Sequence, residues 1–255
     1  MLKKEFPILE FDPDKDAVIR PSMLLQKMDI VEKCVLCFFS EAIEKILNEF
    51  THRIVTHLVG EGVNIPVYEL EYKDSKLLLL QACIGGPMAA MQIEELTALG
   101  CSKFIICGGC GVLQKDISVG NMIIPTVAVR DEGASYHYVK PSREIVANEK
   151  VIKVIEETLI EHKIPYIKGK TWTTDAFYRE TPQKVELRKS EGCITVDMEA
   201  SVYMAVAQYN NVDIGQLLYA GDSLAGDEWD SRGWNSREKA RELALRLTLD
   251  ACVKL

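Results

Sequence analysis

The chain has no apolar run approaching the ~18 residues a membrane-crossing helix needs. Its opening, Met1-Leu2-Lys3-Lys4-Glu5, leads into prolines and acids instead of the apolar core of a secretory leader. A cytoplasmic location is the expectation. Positive charge is in short supply: the net charge is −8 and the pI about 5.2. Nucleic acids and anionic membranes both demand basic patches, so neither is expected as a partner. Histidine is scarce, with His52, His57, His137 and His162 the full set, and no pair has the His-x-x-x-His spacing of a helical zinc site. A Gly-x-Ser-x-Gly nucleophile elbow is missing, as is a Gly-x-Gly-x-x-Gly turn opening a helix. Serine-hydrolase, zinc-hydrolase and dinucleotide chemistry therefore have no footing, and no metal is expected. With no repeat, linker or low-complexity tract, residues 1–255 read as a single domain carrying an N-terminal extension over 1–30.

What is present is ample apolar material, 47% of 255 residues, enough for one large core. Strand-like and helix-like segments alternate. Cys34–Phe39 reads as a strand before a helix over Ser40–Asn48, and Val67–Tyr72 with Lys76–Cys83 as a hairpin around Lys73-Asp74. Pro87–Leu99 reads as a helix opened by proline and closed by Gly100. Phe104–Cys107 is a buried strand entering the turn Gly108-Gly109-Cys110-Gly111, followed by a strand over Asn121–Val129. An amphipathic helix spans Asn148–His162, then come strands Tyr166–Thr173 and Cys193–Val196, a helix Ala200–Tyr209, a strand Ile214–Ala220, and a last helix capped near Asn235 or Ser236. The alternation implies an α/β fold whose mixed sheet is covered by helices on both faces.

Eight cysteines include Cys34-x-x-Cys37 and Cys107-x-x-Cys110. Strand positions three apart point to opposite faces and cannot grip one ion, so buried reduced thiols are the better reading. Asp197 and Glu199 stand two apart where a strand gives way to a helix, a position from which both could enter one cleft. Carboxylates there hold hydroxyl-rich ligands; equally, they form an ordinary acidic first turn. Glycines at Gly85-Gly86 and Gly108–Gly111 allow backbone N–H groups to approach an anion, or simply make tight turns. Phe177-Tyr178 can stack on a planar base or fold back on the core. Trp229 and Trp234 read as anchors for the last helix, and His162 as a complement to its helix dipole.

Taken in order, four motifs resemble the purine nucleoside and uridine phosphorylase superfamily over roughly residues 34–227. They are Cys83-Ile84-Gly85-Gly86-Pro87 with Glu94-Glu95-Leu96; Gly108–Gln114; Val119-Gly120-Asn121 through Arg130–His137; and Val196-Asp197-Met198-Glu199-Ala200. Asp175-Ala176-Phe177-Tyr178 is similar to the family's base-site loop. The resemblance implies a three-layer α/β/α fold with a mixed central sheet, assembled as a homodimer or homohexamer with shared active sites. It implies cleavage of a nucleoside's N-glycosidic bond with inorganic phosphate as co-substrate and no cofactor. Its catalytic residues would be Asp222, at the base N7, and Glu199. The ribose would meet Met198, Glu199 and His52; the base, Phe177, Tyr178, Asp222 and Gly111; the phosphate, Arg53, Gly108, Gly109 and Gly85.

The departures are specific. Ile106 stands where the family carries a phosphate arginine, and Phe38-Phe39-Ser40-Glu41-Ala42 where it has Gly-Asp-Pro-x-Arg. Thr181 and Gln183 occupy the positions of the glutamine and arginine that read uracil, which favours a purine. Three hypotheses follow: a phosphorylase using Arg53 of a neighbour, with Arg179 a further candidate; a nucleosidase using water, with Glu41 as its base; and a non-catalytic nucleoside-binding or storage protein.

Overall fold

In the computed structural model, which describes residues 2–255, a ten-stranded mixed sheet organises the chain. The strands are β1 (Lys33–Cys37), β2 (His52–Gly60), β3 (Val63–Tyr72), β4 (Ser75–Gln81), β5 (Lys103–Val112), β6 (Met122–Asp131), β7 (Glu144–Val146), β8 (Tyr166–Thr174), β9 (Cys193–Asp197) and β10 (Asp213–Ser223). The helices are α1 (Pro21–Leu24), α2 (Ser40–Glu49), α3 (Gly86–Leu99), α4 (Glu149–Glu161), α5 (Pro182–Ser190), α6 (Ala200–Asn210) and α7 (Glu238–Lys254). The expected elements are there, with β2, β7, α1 and α5 added. The α/β layering also follows the sequence reading. Val35 and Cys37 of β1 enter the core under α2, α4 and α7, while Cys34 and Leu36 enter the core under α3 and α6. Cys34 and Cys37 thus face opposite layers, and all eight cysteines are free thiols. Among the described residues, no helix is long and apolar enough to cross a membrane.

The sheet does two things at once. From β1 it continues through β4 and β3 to the edge strand β2. On the other side it rolls up, because β5 pairs with β10, β10 with β6, β6 with β8, β8 with β9, and β9 back with β5. β5 belongs to both parts. Its first half lies between β1 and β10, and its end pairs Gly111 with Val196 of β9.

The glycines of β5 correct the expected turn. Gly108–Gly111 continue the strand, with Gly108 opposite Leu218 and Gly109 opposite Tyr219. Their missing side chains are explained by rings: a Cβ on Gly108 would lie 2.9 Å from the Phe38 ring, and one on Gly109 3.1 Å from the Tyr219 ring. The N-terminal extension lies against the body, since Met28 N–H donates to the Leu99 carbonyl and Lys15 Nζ to the Tyr209 carbonyl. His162 also has a more specific partner than a dipole, Asp250 of α7 at 2.8 Å.

Candidate active site

Two acids stand at the ends of strands on either side of β5. Val196 is registered on Gly111, and β10 runs past the same stretch with a bulge between Ala220 and Ser223 that contains Asp222. Adjacent strands are about 4.8 Å apart, so the ends of β9 and β10 are separated by roughly 10 Å with Gly111 between them. Gly111 has no room for a side chain. A Cβ there would lie 2.9 Å from Val196, 3.0 Å from Leu224 and 3.5 Å from Asp222 Oδ1. Between the two acids the strand is bare backbone, because any side chain at Gly111 would collide with Val196 and Leu224.

Glu199 is the residue before α6 and is buried, with 7% of its surface exposed. Its Oε1 accepts the Gly85 N–H at 2.6 Å, where φ of +91° gives glycine its reason at the start of α3. Burial, then the charge of Asp197, pushes the Glu199 carboxyl up to about 8 against the opposing pull of that N–H. The bond also uses the one amide hydrogen of Gly85, so this glycine does not offer its N–H to a phosphate as the sequence suggested. Met198 is half-buried beside Glu199.

Asp197 does not enter the cleft alongside Glu199, which corrects the paired-carboxylate expectation. Its Oδ1 accepts Thr171 and Thr173 hydroxyls at 3.1 and 2.9 Å, and its Oδ2 accepts the Glu199 and Ala200 N–H groups at 3.0 and 2.6 Å. Two residues apart would put the side chains on one face only if the strand continued; here the chain turns into α6, and Asp197 satisfies the orphan amides of the turn.

Asp222 is half-buried, and its Oδ2 accepts the indole N–H of Trp229 at 2.7 Å. Trp229 therefore serves the acid and not the last helix. Trp234 does hold that helix, since its carbonyl accepts from Tyr219 and from Arg241 of α7. Arg232 clasps the loop to β10, donating to the carbonyls of Gly221, Asp222 and Ile117. Phe177 and Tyr178 stack on each other with ring centres 4.0 Å apart, and are 49% and 88% exposed, so they are not folded onto the core. Thr181 caps α5 through the Lys184 N–H, an occupation unrelated to reading a base.

Three side chains of this region were given no individual role from the sequence. Asp175 accepts the Gly133 N–H at 2.8 Å and lies 3.6 Å from where a Gly86 Cβ would stand, tying the aromatic loop to the start of α3. Glu180, just beyond Phe177–Arg179, is half-buried. Burial and then the charge of Asp222 push its carboxyl up to about 7. Phe38 covers Gly108, so this glycine, buried under a ring, is not the open anion cradle that was expected. Only knowledge of which loops meet would have singled out these three.

His52 and Arg53 lie on the edge strand β2, apart from Glu199 and Asp222 in the single chain. His52 Nδ1 contacts the Phe50 carbonyl, and Arg53 Nε donates to Glu69 at 3.0 Å while two-thirds of its side chain stays exposed. Glu41 is paired with Arg241 at 2.8 Å; burial opposes its ionisation, but that partner holds its carboxyl below the usual range. A cavity of about 490 Å³ under the N-terminal extension is lined by neither Glu199 nor Asp222.

A family model described as the phosphorylase superfamily matches residues 32–254. Among characterised proteins, the chain is 25% identical to guanosine phosphorylase of Halorubrum lacusprofundi over 242 residues, covering 92% of this chain and 99% of that one. Among solved structures, it resembles purine nucleoside phosphorylase of Toxoplasma gondii in complex with immucillin-H, with a TM-score of 0.77, 23% identity and coverage of 94% and 98%. AMP nucleosidase of Bacteroides thetaiotaomicron shares the fold at a TM-score of 0.71, with 24% identity and coverage of 89% of each chain.

Proposed function

The chain belongs to the phosphorylase superfamily, and from that membership we propose that it cleaves the N-glycosidic bond of a purine nucleoside and passes the pentose to inorganic phosphate. The observation that carries this reading is the placement of Glu199 and Asp222 on either side of one glycine strand, neither of them in an ion pair with a cation among the described residues. Cleavage develops positive charge on the sugar and negative charge on the base. Glu199 would accept hydrogen bonds from the ribose hydroxyls and become more firmly ionised as it does, favouring the cationic ring. Met198 supplies an apolar wall to the sugar, Asp222 meets the purine imidazole edge, and Phe177 and Tyr178 offer faces to the base. The guanosine phosphorylase similarity and the capping role of Thr181 both favour a purine over a pyrimidine.

The phosphate is the part a single chain does not complete. Gly85 spends its amide on Glu199, Gly108 lies beneath Phe38, and Gly109 is left as the exposed glycine of that strand. Arg53 sits on an edge strand beside exposed Ile54, a face suited to a second copy, so the reading includes a homodimer in which Arg53 reaches a neighbour's cleft. The test is release of free purine from inosine and guanosine with and without phosphate. Phosphate-dependent release with ribose 1-phosphate as product is expected, and Arg53→Ala should raise KM for phosphate about tenfold or more with KM for nucleoside little changed.

One observation favours a second reading, hydrolysis: Phe38 over Gly108 and Arg241 committed to Glu41 leave the usual phosphate position short of cations. Equal rates in phosphate-free buffer would decide for water. Glu41, held ionised but tied to Arg241, is then a poor choice of base.

A further inference from the structure

Resting on the reading of the cleft as a purine nucleoside site, we propose that Trp229 is a positioning residue for base departure: its indole N–H holds the Asp222 carboxyl with Oδ1 presented to the imidazole edge of the purine. The bond from Nε1 to Asp222 Oδ2 is 2.7 Å, at the short end of the range for N–H···O. Among the described residues it is the one side-chain donor that reaches this carboxyl. Arg232 spends its guanidinium on the carbonyls of Gly221, Asp222 and Ile117 instead. The contrast with Asp197 is plain, since four donors fix both oxygens of that acid. The direction of the Asp222 carboxyl rests on a single bond.

The chain brings the indole back to Asp222 by a short detour. Ser223 and Asp230 exchange backbone hydrogen bonds at 2.8 and 3.0 Å, which closes the residues between them into a loop. Trp229 stands directly beside that tie, and the Arg232 N–H extends it by donating to Asp230 Oδ1 at 2.9 Å. Yet the indole is 62% exposed, so it is not there to fill a core. Its contact with Asp222 is what accounts for it.

The chemistry follows from what an indole can do. Its nitrogen donates and has no lone pair to accept with, so Oδ2 is the accepting oxygen. Any proton that the carboxyl carries during the reaction then sits on Oδ1. That oxygen lies 3.5 Å from where a Gly111 side chain would begin, over the bare backbone between the two acids. As the glycosidic bond breaks, negative charge gathers in the base, and a hydrogen bond from a fixed Oδ1 gains strength at that moment. Without the indole N–H the carboxyl turns about its own two torsions, and Oδ1 is spread over several staggered positions. The cost is one of orientation, paid in rate more than in binding.

The experiment removes the donor in two ways. Trp229→Phe keeps a ring without the N–H; β-(3-benzothienyl)alanine in place of Trp229 keeps the indole's shape with sulfur where the N–H was. Each should lower the single-turnover rate on inosine with phosphate about tenfold, with half-saturation by inosine shifted less than about threefold. In an Asp222→Ala background, Trp229→Phe should cost less than about twofold more, because the group it orients is gone. A benzothienyl protein as fast as the wild type, a loss carried by half-saturation instead of rate, or losses that multiply across the two sites would overturn the assignment. Should Trp229→Phe fail to fold, the shape-preserving benzothienyl protein decides alone. A wild-type protein inert toward inosine and guanosine would instead overturn the functional reading, and this proposal with it.

Discussion

Glu199→Gln is expected to lose about two to three decades of kcat/KM and, at pH 8, to melt at a higher temperature than the wild type. The two effects have one cause. Glu199 is buried against Gly85 beside the Asp197 charge, and its carboxyl stands up at about 8 against an ordinary 4.5. The unfolded chain releases this proton near 4.5, whereas the folded chain keeps it until about 8. The folded state therefore binds more protons across that interval, and stability declines from pH 4.5 to 8 before levelling off. Glutamine keeps an acceptor for Gly85 and cannot ionise, so the variant escapes the decline, and its advantage in Tm should grow across the same interval. Activity moves the other way, since an amide oxygen is a far weaker acceptor for sugar hydroxyls opposite a developing cation. Thermal melts of both proteins at pH 5, 6.5 and 8 check the first part, and steady-state kinetics the second. Parallel melting curves at all three pH values would contradict the account of the buried charge.

Asp197→Ala is expected to lower stability by about 4 kcal/mol, while Asp197→Asn costs only about 1–2 kcal/mol. Alanine would strand two threonine hydroxyls and the Glu199 and Ala200 amides in a site from which water is excluded. Asparagine can point its oxygen at the two amides and its NH2 at the hydroxyls, which rotate to accept. It also sheds a buried charge whose carboxyl is already pushed up by desolvation. Urea denaturation separates the two variants; equal midpoints would mean that Asp197 is not the clamp holding the end of β9 to α6. Because Glu199 follows at the mouth of that clamp, Asp197→Ala should also lose activity in the fraction that remains folded.

The contrast between these neighbouring acids shows where sequence reading succeeds and where it stops. The element order was legible because periodicity and caps are local: Asn148 caps α4, Gly100 ends α3, and the hairpin turns at Lys73-Asp74. Asp197-Met198-Glu199 stood out as the place where a strand gives way to a helix, but the direction of each carboxylate depends on how sharply the chain turns into α6. The glycine run of β5 looked like a turn because flexibility and close packing use the same residue. Only the rings of Phe38 and Tyr219, from elsewhere in the chain, decide between them. Strand β2 escaped notice because its exposed edge, with His52, Arg53 and Ile54, lacks the alternating burial of a half-covered strand. Trp229 was noticed but given the wrong partner, because its tie to Asp222, seven residues back, depends on the path of the loop between them.

The circuit β5–β10–β6–β8–β9 has a mechanical corollary. A strand ring joined by hydrogen bonds all the way round cannot breathe by parting at a seam, and Glu199 and Asp222 are bolted to the same rim. Their spacing should be as stiff at the moment of bond rupture as at rest. Passage of a ligand then falls to the segments hung from that rim, the Phe177–Glu180 turn and the Trp229 loop pinned by Arg232. Amide exchange should be fast there and slow through Gly108–Gly111.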